Sequence, residues 1–198
     1  MPEPLVLLFT QTIRASRLNR GEISDALADT DGLTAWVRDH AGELGVDPAR
    51  FTASDSLRDE VVELRQAVRA LFARAVTPGP PSSADFARLP KFTDALATVN
   101  AAAMAVPLAR SLEWPEDADP VATTVPATPA SESVRLRAAL ATAAIEFLAS
   151  PDRHRLRSCP APRCVLYFVK DHARQEWCSV TCGNRARAAR HYRQHRDD

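Results

Sequence analysis

Four cysteines carry the most specific chemistry in this 198-residue chain, and all lie in its last quarter. They read Cys159-x4-Cys164, thirteen residues, then Cys178-x3-Cys182. Two close pairs a hairpin's length apart suit one Zn²⁺, which takes four tetrahedral ligands and accepts thiolate as a charged, soft donor. Neither pair has the C-x-x-C spacing of a redox motif. His154, His172, His191 and His195 share the segment, but four thiolates already complete the shell. Such a site has no open position for a substrate water, so the expected zinc is structural and non-catalytic. Two disulfides are the alternative. They need an oxidising compartment, whereas the short run Leu5–Phe9 follows Glu3 and lacks a signal peptide's basic start. The expectation is a cytoplasmic chain that binds metal.

The elements that must position those sulfurs can be read around them. Cys159 and Cys164 bracket a knuckle-like turn, Pro160-Ala161-Pro162-Arg163. Val165–Lys170 is predicted as a strand and Glu176–Cys178 as its returning partner. Ser179 is the expected N-cap of a helix running to about His195. Cys182 would then fall in the first turn, four residues after Cys178, where both sulfurs can meet one ion. A module this small would draw its folding free energy from the metal.

The helix has a second chemical character. The chain carries 25 Lys+Arg and 25 Asp+Glu, a formal net charge of zero. Residues 1–150 hold 14 basic and 20 acidic side chains, and residues 151–198 hold 11 and 5, so the halves carry −6 and +6. Asn184, Arg185, Arg187, Arg190 and Arg193 are the candidate nucleic-acid contacts, since a dense basic face suits phosphate and Arg can also read base edges. DNA is the favoured partner and RNA the alternative. The competing reading is a protein-interaction or scaffolding module, its basic face meeting the acidic half of the same or a sister chain. A homodimer is compatible with either. Gly183 is consistent with close backbone approach to a ligand or with helix packing.

Residues 1–150 read as a mainly helical domain. Leu5–Thr12 is expected as a strand, Asp29–Leu44 as a helix capped by Thr30, and Lys91–Ala103 as another helix. Ser54–Val76 places Leu57, Val61, Leu64, Val68 and Leu71 on one stripe. Thr77–Ser83 is a proline-rich break. Val106–Pro126 alternates about a PEDADP turn and predicts a hairpin. Ser131–Leu148 is a further helix, ended by Pro151. Arg58, Arg65 and Arg69 share a stripe whose simplest role is a solvated face paired with Asp55, Asp59 and Glu63. The alternative is a pocket for a small anionic effector, lined by Gln11, Arg65 and Asn100, with the C-terminal module as its lid. No nucleotide-binding loop, HExxH pattern or nucleophile elbow is present, and no enzyme is expected. No apolar run is long enough to span a membrane.

Trp177-Cys178-Ser179 and Cys182-Gly183-Asn184-Arg185, with the upstream Cys159/Cys164 pair and Phe168, resemble the CGNR zinc-finger signature. The turn before Trp177 is shorter than in many members, and Glu176 stands where an arginine is usual. Phe9-Thr10-Gln11-Thr12, Leu33-Thr34-Ala35-Trp36, Leu64-Arg65 and Val99-Asn100 are similar to the ABATE-type domain that usually precedes such a finger. The resemblance implies a mainly helical N-terminal domain with a little sheet, and a stress-induced transcription regulator. The combined expectation is an α+β, mainly α chain. It has a domain over 1–150, with a ligand or oligomerisation role, and a ββα-like four-cysteine finger over 151–198 that binds DNA.

Overall fold

The computed structural model describes residues 3–15, 22–85 and 89–194. The elements run α1 (Leu5–Thr10), β1 (Ile13–Ala15), β2 (Ile23–Asp25), α2 (Thr30–Asp39), α3 (Ala41–Leu44), α4 (Asp55–Ala75), α5 (Phe92–Met104), β3 (Leu108–Glu113), β4 (Val121–Pro126) and α6 (Glu132–Ala149). A 3₁₀ turn over Pro151–Arg155 leads into β5 (Leu156–Ser158), β6 (Tyr167–Val169) and α7 (Val180–Gln194). The described strands form three antiparallel two-stranded sheets, β1–β2, β3–β4 and β5–β6. The architecture is the expected α+β, mainly α one.

α4 is the axis of the core. Ser54 caps it by accepting from the Leu57 amide, and Leu57, Val61, Leu64, Val68 and Leu71 are all buried, as their spacing requires. α1, α5 and α6 pack around it. Phe72 lies between Phe147 of α6 and Tyr167 of β6, with ring centroids 5.4 and 5.5 Å away. The hairpin expected over Val106–Pro126 is present as β3–β4.

Three N-terminal expectations are corrected. Leu5–Thr12 is not a strand. Leu5–Thr10 is a helix that buries Val6, Leu7, Phe9 and Thr10, a spacing of one, three and four. An unbroken apolar run buried on most sides has no period to distinguish strand from helix. Asp29, not Thr30, caps α2, its carboxylate accepting from the Gly32 amide at 2.7 Å. Gly32 is required there, because a Cβ would lie 2.2 Å from the Ala26 carbonyl oxygen. The helix also breaks at His40, whose ring stacks on Trp36 and holds the Trp36 carbonyl at 2.8 Å.

Two of the three arginines in the α4 stripe, Arg65 and Arg69, are neither solvated nor a pocket wall. Arg65 is 1% exposed and makes a two-pronged pair with Asp25, both contacts at 2.6 Å, and also donates to the Thr12 hydroxyl. Arg69 is fully buried. Its Nε donates to Asp85 at 2.7 Å, Nη1 to the Thr10 carbonyl at 2.8 Å, and Nη2 to Ser82 Oγ and the Val165 carbonyl. Tyr167 closes the network by donating its hydroxyl to the other Asp85 oxygen at 2.7 Å. Of the acids expected to pair, only Asp59 meets an α4 arginine, Arg58. The proline-rich break is therefore more than a connector. Its end, Ser82 to Asp85, is wedged between α4 and β6.

Removing one member of a buried ion pair leaves the other charge unpaired in a poor solvent. Arg69→Leu is expected to cost about 3–5 kcal/mol in urea unfolding. Arg65→Leu should cost less, since Asp25 keeps access to water. The Arg65 guanidinium and the Leu27 amide outweigh desolvation and hold the Asp25 carboxyl below its ordinary 3.8. Stability from that pair is complete above pH 3.8 and lost as pH falls through the lowered value. Asp25→Asn should therefore flatten the acid limb of a stability–pH curve.

Candidate metal centre

The finger's hairpin is built one strand earlier than its sequence suggests. β6 pairs with β5, in the register Leu156↔Val169, Arg157↔Phe168 and Ser158↔Tyr167. Glu176–Cys178 is not a strand. Leu156 and Tyr167 are both fully buried in the main core, and that burial fixes the pairing. In the sequence, arginines flank the single core residue of the segment before the first cysteine, so no period marks it as a strand. The knuckle thus becomes the tip of the hairpin. Cys159 N–H donates to the Leu166 carbonyl and Cys164 N–H to that of Ala161, both at 2.9 Å, with Arg163 in the left-handed region at φ 62°.

The second cysteine pair enters from α7. Ser179 Oγ accepts from the Cys182 amide at 3.2 Å, the expected cap, and sets Cys182 in the first turn. All four sulfurs then converge within 4.8 Å of one another. Cys164 and Cys178 are 3.7 Å apart, and Cys178 and Cys182 3.5 Å. A tetrahedral zinc with bonds of about 2.3 Å would set its sulfurs about 3.8 Å apart, so the donor set fits. Without a cation, Cys159, Cys164 and Cys178 hold their protons unequally. Hydrogen bonds from Cys164 and Cys178 pull the Cys159 thiol down to about 2. The bond to Cys159 pushes Cys164 up to about 12 and drives Cys178 upward too. A divalent ion held by Cys159, Cys164, Cys178 and Cys182 removes that conflict and releases the remaining protons. Its chemistry is structural, since four thiolates fill the shell.

Around the sulfurs the motif residues have separate tasks. Arg185 turns inward, donating through Nη2 to Cys182 Sγ at 3.0 Å, while its Nε is buried with no partner among the described residues. Gly183 is buried, and a Cβ there would lie 3.2 Å from the Trp177 ring. Packing on Trp177 accounts for the glycine. The other face of the arrangement is solvent: Asn184, Arg187, Arg190 and Arg193 are exposed. Asn184 accepts from Arg187, whose guanidinium sits 6.0 Å from the Trp177 ring centre.

Comparison with family models locates this arrangement among known proteins. Residues 155–195 match the CGNR zinc finger, and residues 3–151 match the ABATE family, described as "Putative stress-induced transcription regulator". The chain belongs to the ABATE family. No curated protein matches it. In this ABATE protein the four signature residues are a ligand, Cys182, an indole contact, Gly183, a surface amide, Asn184, and a sulfur donor, Arg185. One structural zinc is its cofactor.

The residues expected to line an effector pocket are not assembled as one. Gln11 is buried and donates to Glu3 and the Tyr167 carbonyl, Arg65 is used by Asp25 and Thr12, and Asn100 lies exposed on α5. His195 and Arg196 lie outside the described residues. Sequence reasoning missed Ser82, Asp85 and Tyr167, which tie the finger to α4. The only signal for them was an acid and a serine at the end of a proline-rich stretch.

Metal analysis should find one zinc per chain. Cys178→Ser should lose it and melt α7 while α4 and α6 keep their helical signal. Arg185→Leu should keep zinc but yield it to a competing chelator at about 10-fold lower concentration, the usual scale for a group supporting a ligand. Unchanged retention would show that the Arg185 contact is idle.

Proposed function

We propose that this regulator contacts DNA through α7, with zinc holding the helix in place. One observation carries the reading. Only Cys182 and Gly183 of α7 are buried, and beyond them the helix presents Arg187, Arg190 and Arg193 to solvent. From Trp177 to Gln194 the chain has four arginines and no acid. Among the described residues, no carboxylate pairs with any of those arginines, so the acidic half of the chain does not cover them there. An exposed helix of this length draws little stability from packing, and its charge suits a phosphate backbone.

The roles divide by exposure. Arg190 and Arg193 are the primary phosphate or base contacts. Asn184 and Arg187 act together, the amide orienting a guanidinium that also lies over Trp177. Arg185 supports the metal site and contributes to DNA binding indirectly. The described helices include none long and apolar enough to cross a membrane.

Fluorescence anisotropy with duplex DNA tests the division. Arg190→Gln/Arg193→Gln should lower affinity at least 10-fold with zinc content unchanged, and competition by single-stranded RNA should be weaker than by duplex. Equal binding by the double variant would contradict the assignment.

A further inference from the structure

The β3–β4 ribbon stands apart from the rest of the chain in a physically awkward way. It is a two-stranded sheet to which no third strand adds among the described residues, and an isolated pair of strands is marginal in water. Its large side chains are exposed on both faces: Leu112 is 65% exposed, Trp114 69% and Val121 55%.

The two edges differ. β3 carries Arg110 and Glu113, charges of the kind that discourage strand addition. β4 reads Val121-Ala122-Thr123-Thr124-Val125, without a charge. Pro120 and Pro126 bound it, so five residues are free to pair and further growth stops. The segment is also close to its own mirror. An antiparallel pairing centred on Thr123 sets Val121 against Val125 of a second copy and Ala122 against Thr124. Residues 121, 123 and 125 share one face, so the valine pairs would flank a central Thr–Thr pair, a favourable cross-strand combination. The Thr123 hydroxyl is out of water and has no hydrogen-bond partner among the described residues.

We propose that β4 is a homodimerisation edge, joining two chains about a two-fold axis at Thr123 into a continuous sheet in the order β3–β4–β4–β3. An isologous contact of this kind closes on itself and leaves the charged β3 strands outermost. If α7 reads DNA as proposed above, the dimer would present two such helices to a two-fold site. That consequence rests on the DNA reading, and the dimer does not.

Light scattering on the full zinc-loaded chain should give twice the 21.6 kDa chain mass at tens of micromolar. Thr123→Lys, which opposes two like charges on the axis, should give a monomer with unchanged zinc content and helical signal. Thr123→Cys should form a reducible cross-linked dimer under mild oxidation, whereas Glu116→Cys in the connecting turn should not. A monomeric wild type overturns the proposal. So does a dimer that survives Thr123→Lys, or equal cross-linking from the two cysteine variants. DNA binding is measured separately, so its failure leaves this result intact.

Discussion

The buried charge of Arg69 is the constraint on which the rest of the architecture depends. A guanidinium at no exposure must have its donors satisfied, and no single neighbour can do so. Three stretches of chain supply them: Thr10 from the end of α1, Ser82 and Asp85 from the proline-rich segment, and Val165 from the finger's knuckle. Tyr167 then donates to Asp85 and receives the Ser82 amide. Burial, with the Asp85 charge beside it, pushes that phenol well above its ordinary value, so it remains a donor. The zinc finger is thus not a bead on a flexible tether. Its hairpin finishes the core of the N-terminal domain, and only its helix and metal cluster stand outside.

This arrangement gives the zinc a more limited task than in a free-standing finger. β5 and β6 are held by Leu156 and Tyr167 in the apolar core and by the Arg69 network. The metal is left to fix the knuckle against α7, across a small cluster of Cys159, Ala161, Cys164, Phe168 and Cys182. Trp177 and Arg185 complete that junction from the α7 side. The consequence for function is positional. The arginine face of α7 sits at a defined place beyond the metal cluster, and the acidic domain is held by the hairpin at the opposite end of the module.

Much of the site was legible because its signals are local. Cysteine spacing, Ser179 as a cap and four arginines in nine residues need no tertiary knowledge. The stripe on α4 was legible for the same reason. What escaped depended on distant partners. Ser82 and Asp85 follow the four residues Pro78-Gly79-Pro80-Pro81, which composition marks only as a loop. Arg65 and Arg69 carry charge, and charge on a helix normally predicts water. β5 was hidden because one buried leucine between arginines has no detectable period, and α1 because five apolar residues in a row fit either helix or strand. Arg185 reads in the sequence as one more member of a basic face, because the sulfur its guanidinium meets is set by tertiary placement.

The central claim is that an exposed, zinc-anchored arginine helix meets DNA phosphates, and the salt dependence of binding measures it most directly. If Arg187, Arg190 and Arg193 each neutralise one phosphate, log affinity for duplex DNA should fall against log salt with a slope of about −3 for the zinc-loaded protein. Stripping the metal should abolish that binding, and restoring zinc should return it. Absence of binding at low salt, or an affinity indifferent to both salt and zinc, would contradict the account.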